Sequence, residues 1–232
     1  MSQEKEKENP VVVVFPFQII PKPYVLLALS GIIGVGKTRL ADDLGKYLSL
    51  PVYHEITDGE TTQLQDFYKD MKTRSFALEL HLLNKRYIQQ KELQACNNLR
   101  GGIQDRSIYE DAIFAHTLHK IGYIRDFEYE VYKNISGTMY KELWHPTILI
   151  HLNATPEEAL ARIKNRGRDF ESGIDIEYLK ALSDTYEMFL SEISRYIRVV
   201  RLDWHVFKDT NLVVKHIMEH LLQPIEIKEI HF

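Results

Sequence analysis

Gly31-Ile32-Ile33-Gly34-Val35-Gly36-Lys37-Thr38 fits the pattern G-x-x-x-x-G-K-[ST] at every position. The apolar run Val25-Leu26-Leu27-Ala28-Leu29 precedes it with the length of a buried strand, and Leu40, Ala41, Leu44 and Leu48 follow at helical spacing. Glycines let the backbone curl with its N–H groups turned inward, where phosphate oxygens accept from them. The helix N-terminus adds partial positive charge and Lys37 a full one, while the Thr38 hydroxyl is a candidate ligand for Mg²⁺. Strand, loop and helix together imply a site for the phosphates of a nucleoside triphosphate.

The rest of the composition narrows what else the chain handles. A length of 232 residues suits one α/β domain with a substantial core. The net charge of −4 argues against a general nucleic-acid surface, so small-molecule phosphates are expected and no nucleic-acid partner. The single cysteine, Cys96, excludes an internal disulfide and suits a reducing compartment. The polar start, with Glu4, Lys5, Glu6, Lys7 and Glu8, lacks both a signal peptide's apolar core and a transit peptide's basic bias. No stretch approaches the roughly 18 apolar residues of a membrane span. A cytoplasmic protein with no membrane partner is expected.

Residues 1–23 read as a leader and extended arm, 24–222 as the working domain and 223–232 as a tail. The arm is β-prone over 11–20, but Pro16, Pro21 and Pro23 confine it to an edge or a packing role. Further strands are expected over 51–56, 101–104, 147–152 and 199–202, that over 101–104 with poor propensity because of Gly101 and Gly102. Helices are expected over 62–71, 73–95, 109–118, 124–142, from Pro156 with Thr155 as its cap, 177–193 and 211–222; the tail roughly alternates and offers an edge strand. Strands separated by helices give a parallel sheet covered on both faces.

Several side chains stand where ligands bind in such sheets. Glu55 stands at the carboxyl end of the second strand and Asp105 ends the third, where an acid commonly holds Mg²⁺ beside a phosphate loop. On the long helix Phe76, Glu79, Leu83, Arg86 and Gln90 recur at spacings of three and four and so share a face. A solvated charged stripe is the ordinary reading of such residues, but Leu78, Leu82 and Ile88 also ask for burial. Arg162, Lys164, Arg166 and Arg168, broken by Gly167, read as a mobile arginine-rich lid over the triphosphate, against the plainer reading of cations at a helix C-terminus.

With these pieces placed, residues 24–222 resemble the deoxynucleoside kinase family, through GIIGVGKT, Glu55, FALELHLLNKR, DRSIYEDAIF, RIKNRGRDFE and LDWHVFKD in that order. The resemblance implies a P-loop nucleoside-kinase fold with a parallel five-stranded sheet, a deoxynucleoside and ATP as substrates, Mg²⁺ as cofactor, and a homodimer. It makes Glu55 the general base for the 5′-hydroxyl, Asp105 the acid on the Mg²⁺ side and Arg106 a phosphate clamp. Tyr68 and Glu171 fall to the sugar 3′-hydroxyl, and Phe76, Glu79, Arg86 and Asp111 to the base. Arg162, Arg166 and Arg168 fall to the lid, and Phe207 to the loop over the ATP adenine.

The chain departs from the family pattern in places. Glu55-Ile56-Thr57 stands for Glu-Pro-Val, the tryptophan usual soon after is missing, and Gly101-Gly102 replace β-branched residues. Glu79 replaces a base-reading glutamine. An ionised Glu79 has acceptors only, and guanine presents two adjacent donors, so deoxyguanosine is the expected favourite. Thymidylate-type monophosphate kinases share loop, fold and lid, but Tyr68 and Glu171 suit a neutral nucleoside. A non-catalytic subunit of this fold would tolerate loss of Lys37, Glu55 or Asp105, all present here. A small GTPase is weaker still, since no Asn-Lys-x-Asp segment occurs.

Overall fold

A computed structural model describes residues 25–54, 61–95 and 101–222. The proposed leader and arm, Glu55, Cys96 and the tail lie outside the described residues.

The apolar run before the glycine loop is the central strand. Leu26, Leu27, Ala28 and Leu29 of β1 (Val25–Ser30) are 0 % exposed, as expected where both faces of a parallel sheet are covered. Around it stand β2 (Val52–Tyr53), β3 (Gly101–Asp105), β4 (Ile148–Asn153) and β5 (Arg198–Asp203) in the order β2-β3-β1-β4-β5, all parallel. The helices are α1 (Lys37–Leu48), α2 (Thr61–Lys69), α3 (Met71–Ala95), α4 (Asp111–Lys120), α5 (Asp126–Tyr140), α6 (Pro156–Arg166), α7 (Ile176–Ile193) and α8 (Thr210–Leu222).

The strand with the poorest propensity has a steric reason for its glycines. Gly101 sits at φ 142°, and a Cβ there would lie 1.7 Å from the Val25 carbonyl oxygen. Gly102 lies against the Tyr53 ring, with an added Cβ 2.7 Å from it. Only glycine lets β3 enter between β1 and β2 this closely. Leu29 then registers with Asp105, which places that carboxylate beside the start of the glycine loop.

Helix α6 starts as its sequence predicts. Thr155 Oγ1 accepts from the Glu158 amide at 3.2 Å, Glu158 returns the bond to the Thr155 amide at 2.8 Å, and Pro156 takes the first turn. Gly167 ends it in the left-handed region at φ 66°. The expected start of α4 at 109 is instead a short 3₁₀ turn, Ile108–Glu110, held at its start by the Ser107 amide donating to Glu110 Oε2 at 3.2 Å.

Candidate active site

The carboxyl ends of β1, β2 and β3 open into a cavity of about 650 Å³, where open parallel sheets place their ligands. Ile33, Gly34, Gly36, Lys37 and Thr38 bring the glycine loop to its wall, and His54 brings the end of β2. Gly31 lies at the base of the loop, while Ile32 and Val35 are buried with the core. Lys37 is 6 % exposed, and its Nζ donates to the carbonyls of Gly31 at 2.9 Å and Ile32 at 3.0 Å, which sets the ammonium inside the curl.

Thr38 Oγ1 donates to Asp105 Oδ2 at 2.5 Å, and both residues line the cavity. Asp105 Oδ1 is buried with no hydrogen-bond partner among the described residues. A hydroxyl beside a carboxylate with a spare oxygen fits Mg²⁺, which takes one or two carboxylates and completes its shell with phosphate and water oxygens.

Arg106 follows at φ 77°, a conformation that costs a non-glycine residue about 1–3 kcal/mol and that surrounding contacts must hold. Its Nη1 donates to the Tyr186 hydroxyl at 2.6 Å and lies 3.5 Å from Glu110 Oε1, and its guanidinium sits 4.7 Å from the Phe114 ring centre. Glu110, Tyr186 and Phe114 were not singled out from the sequence. The capping signal S-x-x-E at Ser107–Glu110 was the one local hint of the first.

On α3, Glu79 and Arg86 line the cavity, as does Asp111 of α4. Arg86 Nη1 donates to Asp111 Oδ1, both side chains being almost wholly buried. Glu79 is 2 % exposed and its Oε2 is buried without a hydrogen-bond partner among the described residues. Burial pushes its carboxyl well above the usual range; the Asp111 charge adds to this, and Arg86 and Arg106 oppose it.

Phe76 is corrected. It is half-buried against the core and does not line the cavity, where Leu78, Leu82 and, from α2, Phe67 do. At about 100° per residue, Leu78, Leu82 and Arg86 all fall on one side of Glu79, whereas Phe76 falls about 60° round on the other. Spacing alone shows a shared face but not which edge of it meets the ligand.

Tyr68 and Glu171 both line the cavity, and Gly173 brings their segments together, an added Cβ there lying 2.8 Å from the Tyr68 carbonyl oxygen. Arg166 Nη2 donates to both carboxylate oxygens of Glu171, at 2.6 and 2.7 Å, and Arg168 Nη1 lies 3.6 Å from Oε1. Both arginines line the cavity. Arg162 is placed elsewhere, tied to the carbonyls of Val35, Trp204 and His205 at 3.3, 2.7 and 2.9 Å. Its guanidinium lies 4.7 Å from the centre of the Phe207 ring, and that ring packs on Gly36 outside the loop.

The chain is similar to known proteins in sequence and in fold. Residues 27–226 match the family model described as deoxynucleoside kinase. A deoxyadenosine kinase of Dictyostelium discoideum is 46 % identical over 186 residues, covering 79 % of this chain and 74 % of that protein. A deoxyguanosine kinase of the same organism is 35 % identical over 195 residues, covering 83 % and 68 %. Among solved structures, deoxyadenosine kinase from M. mycoides with bound dATP superposes with a TM-score of 0.73 at 27 % identity, covering 86 % of this chain and 100 % of that one.

Proposed function

The chain belongs to the deoxynucleoside kinase family, and on that premise we propose that this phosphotransferase moves the γ-phosphoryl group of ATP to the 5′-hydroxyl of a purine 2′-deoxynucleoside. The observation that carries this reading is a single cavity of about 650 Å³ that joins Lys37 and Thr38 to Tyr68, Glu79 and Glu171. A phosphate cradle and a polar pocket for a neutral acceptor thus share one chamber, and phosphoryl transfer asks the protein mainly for alignment and charge stabilisation.

In this reading the loop amides and Lys37 hold the β- and γ-phosphates, and Arg166 and Arg168 close over them as a lid. Thr38 and Asp105 would hold Mg²⁺, whose chemistry is to neutralise charge on the phosphate oxygens. Glu55 takes the proton of the 5′-hydroxyl as that oxygen bonds to the γ-phosphorus and the bond to the β-phosphate oxygen breaks. The described chain reaches the cavity wall at His54, one residue before Glu55. Arg106 clamps the transferring phosphate, and Tyr68 and Glu171 take the sugar 3′-hydroxyl, with the Tyr68 ring crowding a ribose 2′-hydroxyl. Arg162 and Phe207 serve the ATP adenine from outside the loop.

The relatives' activities on deoxyadenosine and deoxyguanosine support a purine. Deoxyguanosine was expected on the premise that Glu79 is ionised, so the choice between purines turns on that side chain's proton. We place the enzyme in the cytoplasm; among the described residues no helix is long and apolar enough to cross a membrane. We also infer a homodimer from the family resemblance; Ile88 on α3 and Phe127 and Ile135 on α5 are exposed apolar side chains.

Glu55→Gln tests the proton transfer. The expected result is a kcat lowered by about 100-fold or more with thermal stability kept. A variant with near wild-type kcat would remove Glu55 from the mechanism.

A further inference from the structure

Glu79 is a deeply buried carboxyl of the base site, 2 % exposed, with Oε2 buried and without a hydrogen-bond partner among the described residues. The cation two turns along the same helix, Arg86, donates to Asp111 instead. A carboxylate withdrawn from water with no cation of its own loses more hydration than the interior returns, and such a group keeps its proton. We propose that Glu79, within the deoxynucleoside kinase reading on which this rests, meets the base as a neutral carboxylic acid and selects an exocyclic amino donor set beside a ring-nitrogen acceptor, adenine first.

The charged and titratable groups around Glu79 come from every element packed there. Asp111 lies on α4, Arg86 on α3 itself, Arg106 after β3, Tyr132 on α5 and Tyr178 on α7. Burial and Asp111 raise the Glu79 pKa, against the two arginines. Burial also raises both tyrosines, so they remain phenols across the same pH range.

A carboxylic acid sets one O–H donor beside one carbonyl acceptor. The adenine N6 amino group donates to the carbonyl while N1 accepts the acid proton, and cytosine offers N4 and N3 in the same relation. Guanine presents N1–H and the N2 amino group, two donors, so one of them would face the acid proton. A buried donor left against a donor costs about tenfold or more in kcat/KM. Ionised, the same side chain would favour guanine; its proton therefore inverts the preference.

The test measures kcat/KM for deoxyadenosine, deoxycytidine and deoxyguanosine across about pH 6 to 9, in the wild type and in Glu79→Gln. Infrared difference spectra of the two proteins with bound deoxyadenosine accompany it. The expected result is deoxyadenosine above deoxyguanosine by about tenfold or more. The deoxyguanosine-to-deoxyadenosine ratio should rise with pH in the wild type and stay flat in Glu79→Gln, which keeps adenine ahead. The wild type should also show a protonated-carboxyl band near neutral pH that the variant lacks. Deoxyguanosine ahead in the wild type, or only a carboxylate band, would overturn the proposal. Absence of turnover on every deoxynucleoside would contradict the kinase reading instead, and the infrared band alone would then decide the state of Glu79.

Discussion

The Gly31 amide donates to Glu110 Oε1 at 3.3 Å, joining the base of the phosphate loop to the segment after β3 across 79 positions of chain. The same carboxylate accepts from the Tyr186 hydroxyl at 2.7 Å and, through Oε2, from the Ser107 amide at 3.2 Å. Arg106 supplies the countercharge at 3.5 Å, and Glu110 is 0 % exposed. One buried carboxylate therefore braces both the phosphate loop and the strained Arg106.

Glu110→Ala removes that brace, takes a buried countercharge from Arg106 and leaves two amides without their acceptor. The expected loss is about 3–5 kcal/mol of stability, the usual cost of breaking a buried ion pair from one side. Glu110→Gln keeps the shape and should lose less. Thermal unfolding checks both; an alanine variant within about 0.5 kcal/mol of wild type, the ordinary range for surface changes, would show the network to be incidental.

Arg166 is 37 % exposed at its side chain while its partner Glu171 is 6 % exposed, so the pair is screened on one side. Arg166→Ala should therefore change stability by no more than about 1 kcal/mol. Its kcat should fall about 100-fold if the guanidinium leaves Glu171 for the phosphates. The KM for the nucleoside should also change, because Glu171 loses its clamp. Steady-state kinetics beside a melting curve separates these effects, and unchanged kcat would take Arg166 out of the lid.

Asp105→Asn tests the metal site. The spare Asp105 oxygen is buried beside the Thr38 hydroxyl, so an amide there should weaken Mg²⁺ use. The Mg²⁺ concentration for half-maximal rate should rise about tenfold, on the scale expected when a hard oxygen ligand loses its charge. Equal Mg²⁺ dependence in both proteins would place the metal elsewhere.

His151 gives the fold an acid-sensitive point. It is 4 % exposed on β4, with Nδ1 3.2 Å from Ser30 Oγ, and burial, then the charges of Arg201 and Lys37, lower its pKa to about 3. Between that value and the ordinary 6.5, the unfolded chain holds a proton that the native one does not. Its contribution is therefore complete above about pH 6.5 and is lost as pH falls towards 3, at up to about 1.4 kcal/mol per pH unit. His151→Gln should flatten this limb of the stability curve. Parallel acid-unfolding curves for the two proteins would contradict it.

Local motifs were legible in the sequence because they satisfy themselves locally. The glycine loop, the Thr155–Glu158 box and the run ending at Gly167 each carry their cause within a few residues. Strand β3 looked weak because propensity does not register that Val25 and Tyr53 leave no room for a Cβ at Gly101 and Gly102. Phe76 was assigned to the base by the family resemblance, and the helical period, which gives a face but not its phase, did not separate it from Leu78 and Leu82. Tyr186 was overlooked since its partners, Arg106 and Glu110, lie 80 and 76 residues away. The proton on Glu79 depends on Asp111 drawing Arg86 to itself, a choice that spacing on one helix does not reveal.

The most direct measurement supplies ATP and Mg²⁺ with each of the four deoxynucleosides, and separately with each of their 5′-monophosphates, and identifies the product. The account predicts a 5′-monophosphate made from the nucleosides, fastest from deoxyadenosine, and little reaction with acceptors that already carry a phosphate. Turnover confined to the monophosphates, giving diphosphates, would contradict it.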